Sequence, residues 1–97
     1  MDKFKGTPGP WSVNVIGPHW NNQSLTHIEV TFGEDGECIC DTVYSPDDAQ
    51  LIAAAPELLK ALQGTLDIIK AGPNVNYLRR YGAVTRAKEA IAKALGK

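Results

Sequence analysis

The chain has 97 residues, of which 43% are hydrophobic and 22% are charged. This describes one small folded domain over residues 1–97, because two shorter domains would each bury too little apolar surface. The formal net charge of −1 excludes the general positive excess that binds nucleic acid indiscriminately. No apolar run approaches the roughly 20 residues that span a bilayer, and the first residues lack the apolar core of a signal peptide. We therefore expect a cytoplasmic protein that does not bind membranes.

The N-terminal segment is predicted to form an irregular arm and a first strand. Two prolines within residues 1–10 remove backbone donors and favour extended geometry, as in an irregular arm. Apolar and polar residues then alternate over 11–16, which indicates a half-buried strand. Gly17-Pro18 is expected to end this strand, and the mainly polar residues 19–26, which include Trp20, are expected to form a loop.

Two further strands are predicted to complete a sheet. Residues 27–32 again alternate between apolar and polar side chains. Residues 33–36 read Gly-Glu-Asp-Gly, and glycine accepts the positive φ that tight hairpins require. Residues 37–43 return as a third strand. Residues 11–43 therefore predict a three-stranded antiparallel β-meander.

The pattern changes to a helical period after the sheet. Ser45 is suited to cap a helix and Pro46 to occupy its first position. We expect helical structure over 46–70 with a kink or break at Pro56, because an interior proline removes a hydrogen bond and clashes with the preceding turn. Beyond the break, large apolar residues recur at spacings of three and four, which indicates one apolar stripe. They are Leu58, Leu59, Leu62, Leu66 and Ile69.

Residues 76–95 predict a final amphipathic helix with an apolar and a basic face. The apolar face is expected to pack on the core and the basic face, on the opposite side, to face solvent. The apolar set is Tyr77, Tyr81, Val84, Ile91 and Leu95, and the basic set is Arg79, Arg86 and Lys93. Three strands followed by two to three helices give an α+β fold.

Charge is strongly segregated along the chain. Residues 1–69 carry three lysines against ten acids, a net of −7, whereas residues 70–97 carry seven cations against one acid, a net of +6. One interpretation is a solvated basic helix face. The other is an anion-binding site, in which guanidinium groups bind phosphate, tyrosines stack on a base and an amide adds a polar contact. The candidate ligand-binding residues are Arg79, Arg80, Arg86, Tyr77, Tyr81 and Asn76.

An enclosed site of this kind requires more than one copy of the chain, or cover from the N-terminal arm. Arg79 and Arg86 are expected to point away from the apolar face of their own helix, so another surface would have to cover them. We therefore expect a homo-oligomer, a dimer or larger.

No residues suggest catalysis, a metal or a cofactor. His19, His27 and the carboxylates form no recognisable pair of nucleophile and base, so we expect no enzyme activity. Cys38 and Cys40 lack the spacing and the second ligand pair of a zinc site. They are predicted to be buried structural thiols.

Two motifs carry a family resemblance. Residues 7–11 read Thr-Pro-Gly-Pro-Trp, and residues 49–62 read Ala-Gln-Leu-Ile-Ala-Ala-Ala-Pro-Glu-Leu-Leu-Lys-Ala-Leu. Together they resemble a family of small phage and prophage proteins, mostly of unassigned function, which implies a protein made in the cytoplasm of an infected bacterium. We expect Trp11 to pack on the small residues 53–55. The other interpretation of 53–55 is a subunit interface.

Origin, size and charge favour one function by analogy with other small phage proteins that lack catalytic residues. It is a counter-defence protein that binds and sequesters a small nucleotide immune signal, either a cyclic ADP-ribose isomer or a cyclic oligonucleotide. Two other functions stay open: inhibition of a host protein through surface complementarity, and weak nucleic-acid binding through the basic helix. The acidic remainder of the chain makes nucleic acid the less favoured partner.

Overall fold

The computed structural model describes residues 3–19 and 22–97. It contains a three-stranded antiparallel sheet in the order β1-β2-β3, and helices follow. The predicted α+β arrangement is confirmed. The elements are β1 (Trp11–His19), β2 (Asn22–Phe32), β3 (Glu37–Val43), α1 (Pro46–Ala53), α2 (Ala55–Ala71), a 3₁₀ turn (Gly72–Asn74) and α3 (Tyr77–Ala94).

The first hairpin is longer than the sequence predicts. The expected strand end at Gly17-Pro18 and the loop over 19–26 are both wrong, because Gly17 pairs with His27 and Pro18 with Thr26. Proline is tolerated here because β1 is an edge strand and its register shifts on both sides of this dipeptide. Trp20, also assigned to the loop, lies outside the described residues.

Irregular pairing between β2 and β3 places Cys38 and Cys40 in different environments. Val30 pairs with Cys40 and Thr31 with Cys38, so one extra residue of β3 breaks the strict alternation of faces. Cys40 packs against the core, whereas Cys38 is exposed. The prediction of two buried thiols is therefore wrong for Cys38.

The core lies between the sheet and α1. Ile28 and Val30 of the central strand are completely buried and cluster with Ala49 and Ala53 of α1. Trp11 packs against this cluster, which includes Ala53 from the small residues 53–55 on which it was predicted to pack. The other half-buried residues around the cluster are Val13, Ile39, Cys40, Val43 and Ile52.

The predicted interruption of the helical stretch is confirmed. Ser45 caps α1 by accepting a hydrogen bond from the backbone N–H of Asp48 at 3.3 Å. The helix ends at Ala53, and Pro56 lies in the first turn of α2, where its missing N–H is not required. The break falls just before the proline rather than at it.

The two long helices pack side by side, but not through the predicted faces. Ala83 and Ala90 of α3 are buried, together with Ala61 of α2. Small residues allow the helices to approach closely, and large side chains are displaced to the flanks. The apolar set predicted to face the core is consequently exposed, with Tyr77 at 75% and Ile91 at 53%. This corrects the predicted orientation of α3.

Candidate ligand-binding groove between α2 and α3

The six predicted ligand-binding residues lie on different sides of α3. Successive helical residues are rotated by about 100°, so neighbours in sequence face different surroundings. Arg80 lines a groove between α2 and α3, while Arg86 lines a separate crevice on the other flank. Arg79 lines neither and is exposed. The fold therefore does not bring the three arginines into one site.

The larger groove has a volume of ≈ 550 Å³, within the roughly 300–1,000 Å³ typical of small-molecule sites. Arg80 and Lys88 are its charged residues, and its described lining contains no carboxylate. The remaining lining residues are mainly aliphatic: Thr65, Ile68, Ile69, Gly72, Ala83, Val84, Ala87 and Ile91. The groove thus combines an apolar wall with an uncompensated positive charge.

Lys88 was not among the residues predicted from the sequence. It lies two helical turns after Arg80, and residues eight apart on a helix are rotated by only about 80°. The angular positions of the cations around α3 indicate that Arg80 and Lys88 lie near each other. The local density of arginines and tyrosines, on which the sequence prediction relied, does not indicate this.

Arg80 is partly fixed by the end of α2. Its Nη2 donates a hydrogen bond to the carbonyl oxygen of Gly72 at 3.3 Å. A cation near the last carbonyls of a helix is favourably placed relative to the helix dipole. A guanidinium has five N–H donors, so this single bond leaves donors for a ligand.

The tyrosines and Asn76 surround the start of α3 without lining the groove. The rings of Tyr77 and Tyr81 are 6.4 Å apart between centroids, are inclined by 29° and stack on each other. The side-chain oxygen of Asn76 accepts a hydrogen bond from the N–H of Leu78 at 2.6 Å and so caps the helix. Asn76 therefore has a structural role in this geometry, whereas the exposed tyrosine faces are accessible to a ligand.

The crevice beside Arg86 is lined by three cations and two carboxylates, so most of its positive charge is offset. It measures ≈ 230 Å³ and contains Arg86, Lys60 and Lys93 together with Glu57 and Glu89. Arg86 is exposed, and its guanidinium extends over α2, where a Cβ on Gly64 would be 3.6 Å from Nη2. Gly64 leaves the space that the arginine occupies.

Lys93, which was predicted to lie on the solvated basic face, instead points toward the body of the protein. Its Nζ lies 3.0 Å from Oε1 of Glu57 and donates a hydrogen bond to the carbonyl oxygen of Trp11 at 3.1 Å. The two carboxylates of this crevice offset two of its three cations, so it is less suited than the Arg80 groove to an anion.

A polar cluster crosses the exposed face of the sheet. Glu29 accepts hydrogen bonds from the Asn14 amide at 2.8 Å and from the Cys38 thiol at 3.1 Å. The thiol and the amide hold the pKa of Glu29 below its usual value, and the hydrogen bond to Glu29 raises the pKa of Cys38. Because the thiolate is the nucleophilic form, this environment makes Cys38 a poor nucleophile.

Neither a metal-binding group nor a membrane-spanning helix occurs in the described parts of the chain. Residues 3–19 and 22–97 contain no cluster of three or more His, Cys, Asp or Glu side chains suited to a metal ion. None of the helices within these ranges combines the length and apolar character needed to cross a bilayer.

The model of one protein family, described as Salmonella phage P22 protein Y8K6, matches residues 1–97. The chain belongs to this phage protein family. The match covers the arm, the sheet and all three helices, so the phage origin expected from the two motifs is confirmed for the chain as a whole. No curated protein and no solved structure matches it.

Proposed function

We propose that this phage protein is a non-catalytic counter-defence protein that captures a small phosphorylated nucleotide in the α2–α3 groove. The ligand class is a cyclic ADP-ribose isomer or a cyclic oligonucleotide that signals in bacterial immunity. The observation that carries the proposal is the charge of the groove, whose described lining includes Arg80 and Lys88 but no carboxylate. Such a site attracts phosphate, since a positively charged concave surface concentrates anions.

The residues around the groove have distinct roles in this proposal. Arg80 offers a planar fork to a phosphate group and Lys88 adds a point charge. The aliphatic side chains of Ile69 and Val84 contact the faces of a base or ribose. Tyr77 and Tyr81 present aromatic surface at the adjacent end of α3, where a second base can stack.

Calorimetric titration of the 97-residue chain with a panel of these cyclic nucleotides tests the proposal. Arg80→Ala is the informative variant, and Arg79→Ala is its matched control because it removes the same charge from the neighbouring position outside the groove. We expect Arg80→Ala to weaken binding by about 10- to 100-fold, as for loss of a hydrogen bond to a charged group. Arg79→Ala should change the affinity by less than about threefold, because exposed charges are screened by salt.

Two results would contradict this function. One is the absence of binding heat with every nucleotide in the panel at millimolar concentration. The other is an equal loss of affinity in Arg79→Ala and Arg80→Ala, which would indicate only a diffuse electrostatic attraction.

Inhibition of a host protein is a second candidate, supported by the exposed apolar side chains of α2 and α3. A pull-down from bacterial lysate distinguishes nucleotide capture from inhibition of a host protein. Stoichiometric recovery of one host protein favours the inhibitor, and recovery of a bound nucleotide favours capture.

A further inference from the structure

The two cations that line the α2–α3 groove are held apart along α3. Arg80 and Lys88 are eight residues apart on this helix, and a rise of about 1.5 Å per residue separates their backbones by about 12 Å. Long side chains on a helix point back toward its N-terminus, so both point in the same direction and the separation is kept. The hydrogen bond from Arg80 to the carbonyl oxygen of Gly72 holds the guanidinium where α2 ends. The groove therefore carries two separate positive charges.

The wall between these two charges is apolar. Ala83, Val84 and Ala87 of α3 lie between the two cations in the chain and line the groove, and Ile68 and Ile69 line it from α2. These side chains offer contact surface but no hydrogen-bonding group. A ligand that matches this wall carries two anionic groups with a less polar unit between them.

A second surface for a base adjoins the Arg80 end of the groove. Tyr77 and Tyr81 stack on each other, and they are 75% and 63% exposed. Tyr77 precedes Arg80 by almost one helical turn and is rotated from it by only about 60°. Exposed aromatic rings stack on bases of any identity. The apolar wall and the tyrosine pair therefore provide surfaces for two bases.

We infer that the nucleotide captured in the groove is a cyclic oligonucleotide rather than a cyclic ADP-ribose isomer. This inference rests on the proposed function and specifies its ligand. In a cyclic oligonucleotide a ribose separates successive phosphates and each unit carries a base, so one phosphate contacts Arg80 and the next contacts Lys88. In a cyclic ADP-ribose isomer the two phosphates share a bridging oxygen beside a single base. That ligand concentrates its charge at one end of the groove and leaves the other cation without an anion.

Calorimetric titration of the 97-residue chain with three probes tests the inference. The probes are cyclic di-AMP, cyclic AMP and a cyclic ADP-ribose isomer, which share adenine and differ in the number and spacing of phosphates. We expect cyclic di-AMP to bind at least about 10-fold more tightly than the other two, because only its phosphates reach both cations. Cyclic di-GMP and cyclic GMP repeat the comparison with guanine.

Variants of the two cations test the same inference residue by residue. Arg80→Ala and Lys88→Met should each weaken binding of the cyclic dinucleotide by about 10-fold. For cyclic AMP, one of the two substitutions should change the affinity by less than about threefold, because a single phosphate contacts one cation. Lys97→Met is the matched control, since it removes the same charge from an exposed residue outside the groove. Circular dichroism of each variant establishes that the helices are retained.

Two results would overturn the inference and leave the proposed function intact. One is binding of the cyclic ADP-ribose isomer as tight as that of the cyclic dinucleotides. The other is tight binding of a cyclic dinucleotide that Lys88→Met weakens no more than Lys97→Met does. The absence of binding by every probe would instead contradict the proposed function itself, so the two failures are distinguishable.

Discussion

Gly9 lies directly against Pro56, so closely that a Cβ atom on Gly9 would be 2.7 Å from the Cβ of the proline. The contact joins the N-terminal arm to the first turn of α2. It also explains why the two motifs that carry the family resemblance occur together, since one packs on the other. Trp11, Ala55 and Pro56 line the same small cavity beside this contact.

Gly9→Ala is expected to destabilise the protein by about 1–3 kcal/mol, because the new methyl group would overlap a rigid proline ring. The free energy of unfolding in urea measures this effect. Gly82→Ala is the matched control, since nothing lies within 4 Å of a Cβ at that position of α3. Alanine there should stabilise the protein by about 0.5–1 kcal/mol. Equal effects of the two substitutions would contradict the close packing of the arm.

Lys93→Met is expected to lower the free energy of unfolding by about 1–3 kcal/mol, because it leaves the carboxylate of Glu57 and the carbonyl of Trp11 without their donor. The second carboxylate oxygen, Oε2, is buried and makes no hydrogen bond within the described residues. Lys97→Met removes the same charge from an exposed terminal residue and should change the stability by less than about 0.5 kcal/mol.

A double-variant cycle with Glu57→Gln isolates the contribution of the pair itself. We expect a coupling energy of about 0.5–2 kcal/mol. Additive effects of the two substitutions would show that the contact does not contribute to stability.

Glu29→Gln is expected to lower the pKa of Cys38 and speed its alkylation, because the carboxylate that accepts the thiol hydrogen bond is removed. A pKa lower by one unit gives about tenfold more thiolate below the pKa, so the rate at pH 8 should rise by up to about tenfold. Peptide mapping after iodoacetamide treatment measures this rate, with Cys40 as the internal reference. Glu34→Gln, in the exposed turn, should leave the rate unchanged.

The hydrogen-bonded cluster around Glu29 makes the free energy of unfolding depend on pH. Because the pKa of Glu29 is lowered on folding, its contribution is present above the pKa of the unfolded chain and is lost as the pH falls through the lower folded value. The raised pKa of Cys38 acts in the opposite range, so its contribution is lost as the pH rises through the folded value. Glu29→Gln should flatten the acid limb of the stability curve, and an unchanged limb would contradict the assigned hydrogen bonds.

Thr42→Gly is expected to stabilise the protein by about 0.5–1 kcal/mol. Thr42 has a φ of 62°, which is unfavourable for a β-branched residue and costless for glycine. Its hydroxyl donates a hydrogen bond to Asp41 on the exposed surface, so little is lost there. Thermal unfolding measures the change. Ser12→Gly in β1, where the backbone is regular, should instead destabilise the protein, and the same sign for both variants would contradict the strain at Thr42.

The sequence by itself determined the order and type of the elements. The features that define these elements act through nearby residues, so they can be recognised from the sequence alone. They are the alternation along the strands, the Gly-Glu-Asp-Gly turn, the cap at Ser45 and the proline at position 56. Only the tertiary structure decided which helix faces meet. Hydrophobicity favoured burial of Tyr77 and Ile91, but the helices pack through alanines because small side chains permit close approach. Register shifts likewise decided that Cys38 is exposed and Cys40 packs on the core, since pairing between strands depends on residues distant in the chain.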